Sequence, residues 1–356
     1  MRILFLGENW YGSCARACCY ALRRLGHDVS DIDAQTVFPQ LHWRSSRAVR
    51  RLFDRRLIAE YNHLVLDVAS AFSPDMLLAF KARDLAPQTL QTLRSQGIAL
   101  YNYYPDTSAF AHGSLLPRAL PEYDCVFFTK KFLHKDVTAH TSLKASVFLP
   151  HGYDPELHKL WPLDQKDLAQ YTCDVGVIAT YTQQKEKLLS KLVALKPDID
   201  LQIWGNQWER CSSGNLSKFI KGAPLNGTSY AKALRAFRIS LGIMSGEVKG
   251  ASQGDETTTR TYEIPACGGF MLHERTQEVL ELFEEGKEVA CFDSVKELAG
   301  KIDYYLAHPH ERAAIAAAGH ARCVPAYSYD NRMKDIIRWH EEHNGLSNRM
   351  PARASA

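Results

Sequence analysis

Residues 2–34 read RILFLGENWYGSCARACCYALRRLGHDVSDIDA. Ile3 to Leu6 is a short apolar run closed by Gly7, the mark of a buried strand. From Cys14, the residues Ala15, Cys18, Cys19, Leu22 and Leu25 recur at helical spacing, and Gly26-His27 ends the pattern. Residues 28–34 then return as a strand. A strand, a helix and a second strand within this length predict a parallel sheet with helices packed on its faces.

Working outward, the alternation continues. A long helical region is predicted around 45–72, a strand at 75–80 and a helix at 87–96, with Pro87 in its first turn. Strands at 98–104, 124–129 and 145–149, with a helix near 130–138, complete a first domain over 1–150. Residues 151–170, rich in proline and without periodicity, read as a linker. The pattern restarts with a strand at 173–179, a helix at 183–195, a strand at 200–204, a helix at 230–238 capped by Ser229 and a strand at 239–244. Helices at 258–267 and 277–285, a strand at 289–293 and helices at 295–307 and 309–322 follow. The 295–307 helix opens on the S-x-x-E capping box Ser294–Glu297. The second domain thus spans 171–330, and 331–356 holds a last helix and a flexible tail. The expected fold is α/β, two doubly wound Rossmann-like domains with a ligand cleft at the carboxyl ends of their strands.

Composition agrees with a globular chain of this kind. The 356 residues are 46% hydrophobic and 23% charged, and 43 Lys and Arg against 40 Asp and Glu leave a net charge of +3. That balance implies no nucleic-acid partner. No apolar run reaches the ~18 residues of a membrane span, and the first strand is too short for a signal-peptide core, so a cytoplasmic protein is expected. Nine scattered Cys in a chain this long predict reduced thiols.

The most informative stretch is 255–274, DETTTRTYEIPACGGFMLHE. Asp255 and Glu256 precede a threonine run. Arg260 and Glu263, three apart, share one face of a first helical turn. Arg offers a planar fork for a diphosphate, and a carboxylate accepts two hydrogen bonds from a ribose diol. A local Arg–Glu helix pair is the competing reading.

The run from Arg260 to Leu272, RTYEIPACGGFML, resembles the R-x-[FY]-E-x-x-A-x-G-x-x-L signature of CgeB-like glycosyltransferases. These are GT-B enzymes related to the retaining group-1 family. The continuation Phe283–Val289 is similar too, as is Pro150-His151-Gly152-Tyr153-Asp154-Pro155. The resemblance implies transfer of a sugar from a nucleotide-diphosphate sugar to an acceptor hydroxyl, with retention. It places Glu263 on the donor ribose and an acid eight positions earlier, here Asp255 in place of the more usual Glu, against the donor sugar; Glu256 is the alternative. It also places basic phosphate ligands after the first strand of the second domain, where Thr180 and Lys185 stand.

Other residues complete the candidate site. Gly12 and Ser13, at the turn into the first helix, suit an anion at a helix N-terminus, and Gly222 is added to the donor-binding set. Trp10 and Tyr11 interrupt any G-x-G-x-x-G fingerprint, and Asp31 and Asp33 are the acids available to a ribose in a nicotinamide-dependent reading. Asp106 follows a strand in Asn102-Tyr103-Tyr104-Pro105-Asp106 and, with His112, is a catalytic candidate of the first domain. Lys81 ends strand 75–80 at the expected cleft mouth. Arg44, Arg47, Arg50, Arg51, Arg55 and Arg56 crowd one helix, which reads either as a contact with an anionic membrane or lipid-linked acceptor or as a solvated face. No D-x-D segment suggests a metal bridge, so no metal is expected, and Arg260, Lys185 and helix N-termini are left to meet the phosphate charge. No cofactor beyond the sugar nucleotide is expected; the acceptor is a glycan, a protein or a lipid-linked molecule. The rival reading is a noncatalytic nucleotide- or glycan-binding protein with the same fold.

Overall fold

The computed structural model describes residues 1–38, 44–222, 224–246 and 248–344, with their side chains except at 44–54 and 344. The expected flexible tail beyond 344 lies outside the described residues. The chain forms two compact units. One holds Met1–Pro150, Val248–Ser252 and the chain from Tyr329 on; the other holds His151–Glu247 and Gln253–Ser328.

The sheet of the first unit comprises β1 (Arg2–Leu6), β2 (Asp28–Ile32), β3 (Met76–Phe80), β4 (Ala99–Tyr104), β5 (Cys125–Phe128) and β6 (Ser146–Phe148), in the order β2-β1-β3-β4-β5-β6. Every described pairing is parallel. Successive side chains of a strand face opposite sides, and the core divides accordingly. Leu4 and Leu6 enter a cluster with Val65, Leu90 and Tyr104, whereas Ile3 and Phe5 enter one with Cys18, Leu22, Met333 and Ile336. The second cluster is completed by the C-terminal helix Tyr329–Asn344 packed against the helix Cys14–Arg24. Arg24 pairs with Asp330 at 2.5 Å.

The second unit contains β7 (Val175–Ile178), β8 (Leu201–Trp204), β9 (Ile220–Gly222), β10 (Ile239–Gly242), β11 (Met271–Glu274) and β12 (Ala290–Phe292), ordered β12-β11-β10-β7-β8-β9 and again parallel. Counted within the unit this is 6-5-4-1-2-3, the dinucleotide-binding arrangement, with its switch point between β7 and β10. The first sheet reverses between β1 and β3.

Several elements differ from the sequence reading. The stretch read as a linker contains the helix Gln165–Tyr171, opened by a reciprocal Asp164–Asp167 capping box. The helix expected from 230 starts at Gly227 with Asn226 at its N-cap, so Ser229 lies inside it. β9 and β11 were not expected. Met271-Leu272-His273-Glu274 carries a buried His and a half-buried Glu that break the apolar run a core strand normally shows. All nine Cys are free thiols.

Candidate functional site

The carboxyl ends of β7 and β10 gather the charges of the second unit. After β7 the chain turns through Ala179–Thr182 into the helix Gln183–Leu195, whose N-cap Thr182 accepts from the Lys185 N–H. Lys185 is buried, and its Nζ donates to the Thr180 carbonyl at 3.3 Å and to Ser245 Oγ at 2.9 Å, in the loop after β10. Arg260, at the start of the helix Thr259–Ala266, donates to the Ile243 carbonyl at 3.0 Å. Its buried Nε has no partner among the described residues. Glu274, at the end of β11, accepts from the Met244 N–H at 2.6 Å.

These groups set one another's charge. Burial pushes the Lys185 ammonium down to about 8, the Arg260 guanidinium adds to the fall, and Asp255 and Glu274 oppose it. Burial likewise pushes the Glu274 carboxyl up, against the Met244 N–H, Lys185 and Arg260. Buried Lys185 beside half-buried Arg260, whose Nε is unsatisfied, suits an anion by ordinary electrostatics. The two helix N-termini that open at this edge add to it.

Asp255 and Glu256 separate here. Glu256 Oε2 accepts from the Glu278 N–H at 3.1 Å, which ties it to the end of the helix Gln277–Leu282. Asp255 donates its N–H to the Ser245 carbonyl at 2.9 Å and acts electrostatically on Lys185. Glu263 is buried one turn beyond Arg260. Its Oε2 accepts from the Tyr230 hydroxyl at 2.5 Å, and its Oε1 lies 3.9 Å from His158 Nε2. Burial, and after it the Glu263 charge, holds the Tyr230 phenol far above its ordinary value, so it remains a donor. Sequence reasoning missed Tyr230, His158 and Ser245, which come from three separate segments and are joined to the 255–274 motif only by the fold, and gave no role to Glu274, the last residue of that motif.

The remaining candidates are dispersed. Gly222 closes the edge strand β9, exposed and with φ +89°, two strands away from β7. Thr180 is exposed and offers Lys185 its carbonyl rather than its hydroxyl. Gly12 and Ser13 belong to the first unit, where the Ser13 hydroxyl donates to the Glu8 carbonyl at 2.7 Å and accepts from the Arg16 N–H at 3.0 Å. Asp31 is held by Arg23 and Asn9, and Asp33 caps the helix Ala34–Val37. Of the basic helix Arg44–Phe72, Arg55 and Arg56 are exposed and Arg56 pairs with Glu60; the side chains of Arg44, Arg47, Arg50 and Arg51 lie outside the described residues.

In the first unit, Asp106, His112 and Lys81 come together. Lys81 Nζ lies 2.6 Å and His112 Nε2 2.7 Å from the same oxygen, Asp106 Oδ2. Burial works to raise the Asp106 carboxyl, but the hydrogen bond from His112 and the Lys81 charge hold it well below the usual carboxylate range. The loop is fixed from beneath: Thr129 Oγ1 donates to the Pro105 carbonyl at 2.9 Å and the Tyr104 hydroxyl to the Ser108 carbonyl at 2.7 Å. Lys81 and Ala82 both sit at positive φ, +63° and +44°, a conformation that costs a side chain of this kind roughly 1–3 kcal/mol at each position.

Among solved structures the chain is similar to the sucrose-phosphate synthase of Thermosynechococcus elongatus. The identity is 13%, covering 97% of this chain and 100% of that one, with a TM-score of 0.69. The fold is GT-B. Trehalose-6-phosphate synthase OtsA shares this GT-B arrangement at TM-score 0.67 and 13% identity, over 96% of this chain and 99% of that one. So does HepE of Anabaena in complex with UDP-glucose, at TM-score 0.63 and 14% identity over 96% and 100%. Residues 183–338 match the family model described as glycosyl transferase-like, a span that includes Lys185, Asp255, Arg260 and Glu263. No curated protein sequence matches the chain significantly. Among the described residues no group of three or more His, Cys, Asp and Glu side chains could hold a metal ion, and no helix is long and apolar enough to cross a membrane.

Proposed function

We propose that this chain is a CgeB-like glycosyltransferase that takes a hexosyl group from a nucleotide-diphosphate sugar. The observation that carries the reading is buried Lys185 beside half-buried Arg260 at the switch point of the second sheet, with one buried guanidinium nitrogen unsatisfied. A diphosphate supplies the acceptor atoms that nitrogen lacks. The bond that breaks joins the anomeric carbon to the β-phosphate oxygen, so negative charge grows on the leaving diphosphate. Fixed cations in a buried site stabilise that charge without reorganisation.

In this reading Glu263 holds the ribose diol, with Tyr230 aiming its carboxylate, and Asp255 faces the transferred sugar. The first unit presents the acceptor hydroxyl beside Asp106 and His112. Retention rests on the resemblance to the group-1 enzymes, and independence of a metal rests on Lys185 and Arg260 meeting the phosphate charge. HepE, a protein of the same fold, is known with UDP-glucose bound, so that is the first donor to try.

The test is calorimetry with UDP, GDP, ADP and dTDP, followed by hydrolysis and transfer assays with the matching sugar nucleotides. Micromolar binding of one nucleoside diphosphate with release of its sugar supports the reading. Binding without any turnover favours a noncatalytic nucleotide-binding protein; binding of none overturns both.

A further inference from the structure

The first unit carries an aromatic pair that the donor chemistry does not use. Trp10 is 41% and Tyr11 54% exposed, both in the loop between β1 and the helix Cys14–Arg24. The loop is rigidly held. Trp10 Nε1 donates to Glu8 Oε2 at 3.0 Å, and the Trp10 carbonyl accepts from the Ser13 N–H at 3.0 Å. Asn9 donates to Asp31 at 3.1 Å and accepts from Arg16 at 2.9 Å, and the Arg16 guanidinium sits 5.9 Å from the Tyr11 ring.

The position matters as much as the exposure. β1 and β3 flank the reversal of strand order in the first sheet, and ligands of open α/β sheets collect outside the carboxyl ends of strands at such a point. The two strand ends adjoin: a Cβ at Gly7 would lie 3.4 Å from Phe80 Cβ, the residue before Lys81. Lys81 in turn holds Asp106 and His112 from the end of the next strand, β4. The aromatic loop after β1 and the Lys–Asp–His group after β3 and β4 thus both follow the carboxyl ends of strands about the switch point of the first unit.

We propose that Trp10 and Tyr11 form a stacking platform for a pyranose ring, and that the acceptor is accordingly a glycan. The inference rests on the glycosyltransferase reading for the role of acceptor, though not for the binding of sugar. A pyranose has an apolar face of C–H groups, which suits the electron-rich face of an aromatic ring, and a rim of hydroxyls. Glu8, beside the platform, accepts from hydroxyls. The Glu8 carboxylate, bonded to the Trp10 edge, disfavours a phosphate at the same place. The Ser13 hydroxyl, already committed at the adjoining helix N-terminus, offers such a phosphate no free cap. Two rings are also far short of the ~800 Å² per partner of a stable protein interface.

Purified full-length protein is screened on an array of neutral and acidic oligosaccharides that includes maltotriose, cellotriose and chitotriose. The best binder is then measured by calorimetry and saturation-transfer difference NMR. Wild type is expected to bind with saturation on ring C–H protons. Trp10→Ala is expected to weaken that binding by about tenfold or more, and Trp10→Phe, which keeps an aromatic face, by no more than about threefold. The thermal midpoint of each variant checks that it is folded. Equal binding by wild type and Trp10→Ala overturns the proposal, as does an array on which nothing binds. Nucleotide-sugar hydrolysis by wild type is followed in parallel. Oligosaccharide binding through Trp10 in a protein that takes no nucleotide sugar overturns the glycosyltransferase reading and leaves the platform standing; hydrolysis with a Trp10-independent acceptor does the reverse.

Discussion

The Tyr230 hydroxyl donates to the Glu263 carboxylate at 2.5 Å, across the gap between the helices Gly227–Ala236 and Thr259–Ala266. A carboxylate so placed is buried and aimed, as a ribose diol requires. Each charge-assisted hydrogen bond it makes is worth about 1.5–3 kcal/mol. Glu263→Ala is expected to weaken nucleoside diphosphate binding by about tenfold to several hundredfold, Glu263→Gln by less. Tyr230→Phe, which loses the aim but keeps the charge, is expected to fall below Glu263→Ala. Arg260→Ala is expected to weaken the diphosphate while sparing the bare nucleoside. Calorimetry with nucleotide and nucleoside reads all four, and wild-type affinity in a folded Glu263→Ala protein would move the donor site elsewhere.

In the proposed reading Lys185 is expected to make donor binding sensitive to pH. Its ammonium titrates at about 8 in the free protein because of burial and Arg260. An anionic diphosphate raises that value on binding, so the complex holds a proton that the free protein has lost. Affinity is expected to be flat below pH 8 and to fall above it, by up to about tenfold per pH unit. For stability of the free protein the sign is opposite. The unfolded chain keeps this lysine protonated to its ordinary value, so between about 8 and that value the unfolded state binds more protons and stability rises with pH. Lys185→Arg stays charged throughout and is expected to flatten both profiles.

Asp106 is expected to act as a positioning group. A carboxyl held well below its usual range by His112 and Lys81 is too weak a base to take a proton from an acceptor hydroxyl near neutral pH. Asp106→Asn removes the charge that holds both neighbours. It is expected to lower kcat/KM for transfer about a hundredfold while leaving nucleotide affinity in place. A pH–rate profile of wild type whose acidic limb disappears in Asp106→Asn would assign it a proton-transfer role instead.

Ala82→Gly tests the strain beside this group. Glycine adopts φ +44° at no steric cost. The variant is expected to match or exceed wild-type stability, by up to ~1 kcal/mol, and to lose transfer activity as Lys81 is freed from its fixed position. Thermal melts and steady-state kinetics check the two halves.

Gly242, the last residue of β10, touches the site through packing. A Cβ there would lie 2.2 Å from the His273 ring, which is fixed by Thr261 Oγ1 at 2.9 Å and the Glu274 carbonyl at 2.6 Å. Thr261 adjoins Arg260. Gly242→Ala is expected to cost about 1–3 kcal/mol of stability and to weaken nucleotide binding in the same protein, by denaturant titration and calorimetry.

Much of this was legible in the sequence, for reasons specific to each element. The strands at 2–7 and 75–80 are apolar on both faces because helices cover both, so an unbroken apolar run marks them. β11 lacked that mark because His273 and Glu274 serve the site. The Arg260–Glu263 pair was visible because a helix brings i and i+3 together. Tyr230, His158 and Ser245 were not, since no local spacing links them to Glu263 or Lys185. Lys81 read equally well as an ordinary surface lysine, because positive φ at a non-glycine leaves no trace in residue type.

The helix Tyr329–Asn344 fills one face of the first sheet, with Met333 and Ile336 packed among Ile3, Phe5 and Leu22, and Trp339 set edge-on against Tyr101 at 5.5 Å. During synthesis the sheet of the first unit is therefore missing one wall until residues 329–344 have been made. At about 5–20 residues per second, the second unit has time to form while Cys18, Cys19 and Leu22 still wait for their cover. A nascent chain in that interval carries a sticky, thiol-bearing surface, and synthesis stalled before Tyr329 yields a product suited to chaperone capture rather than a smaller folded protein.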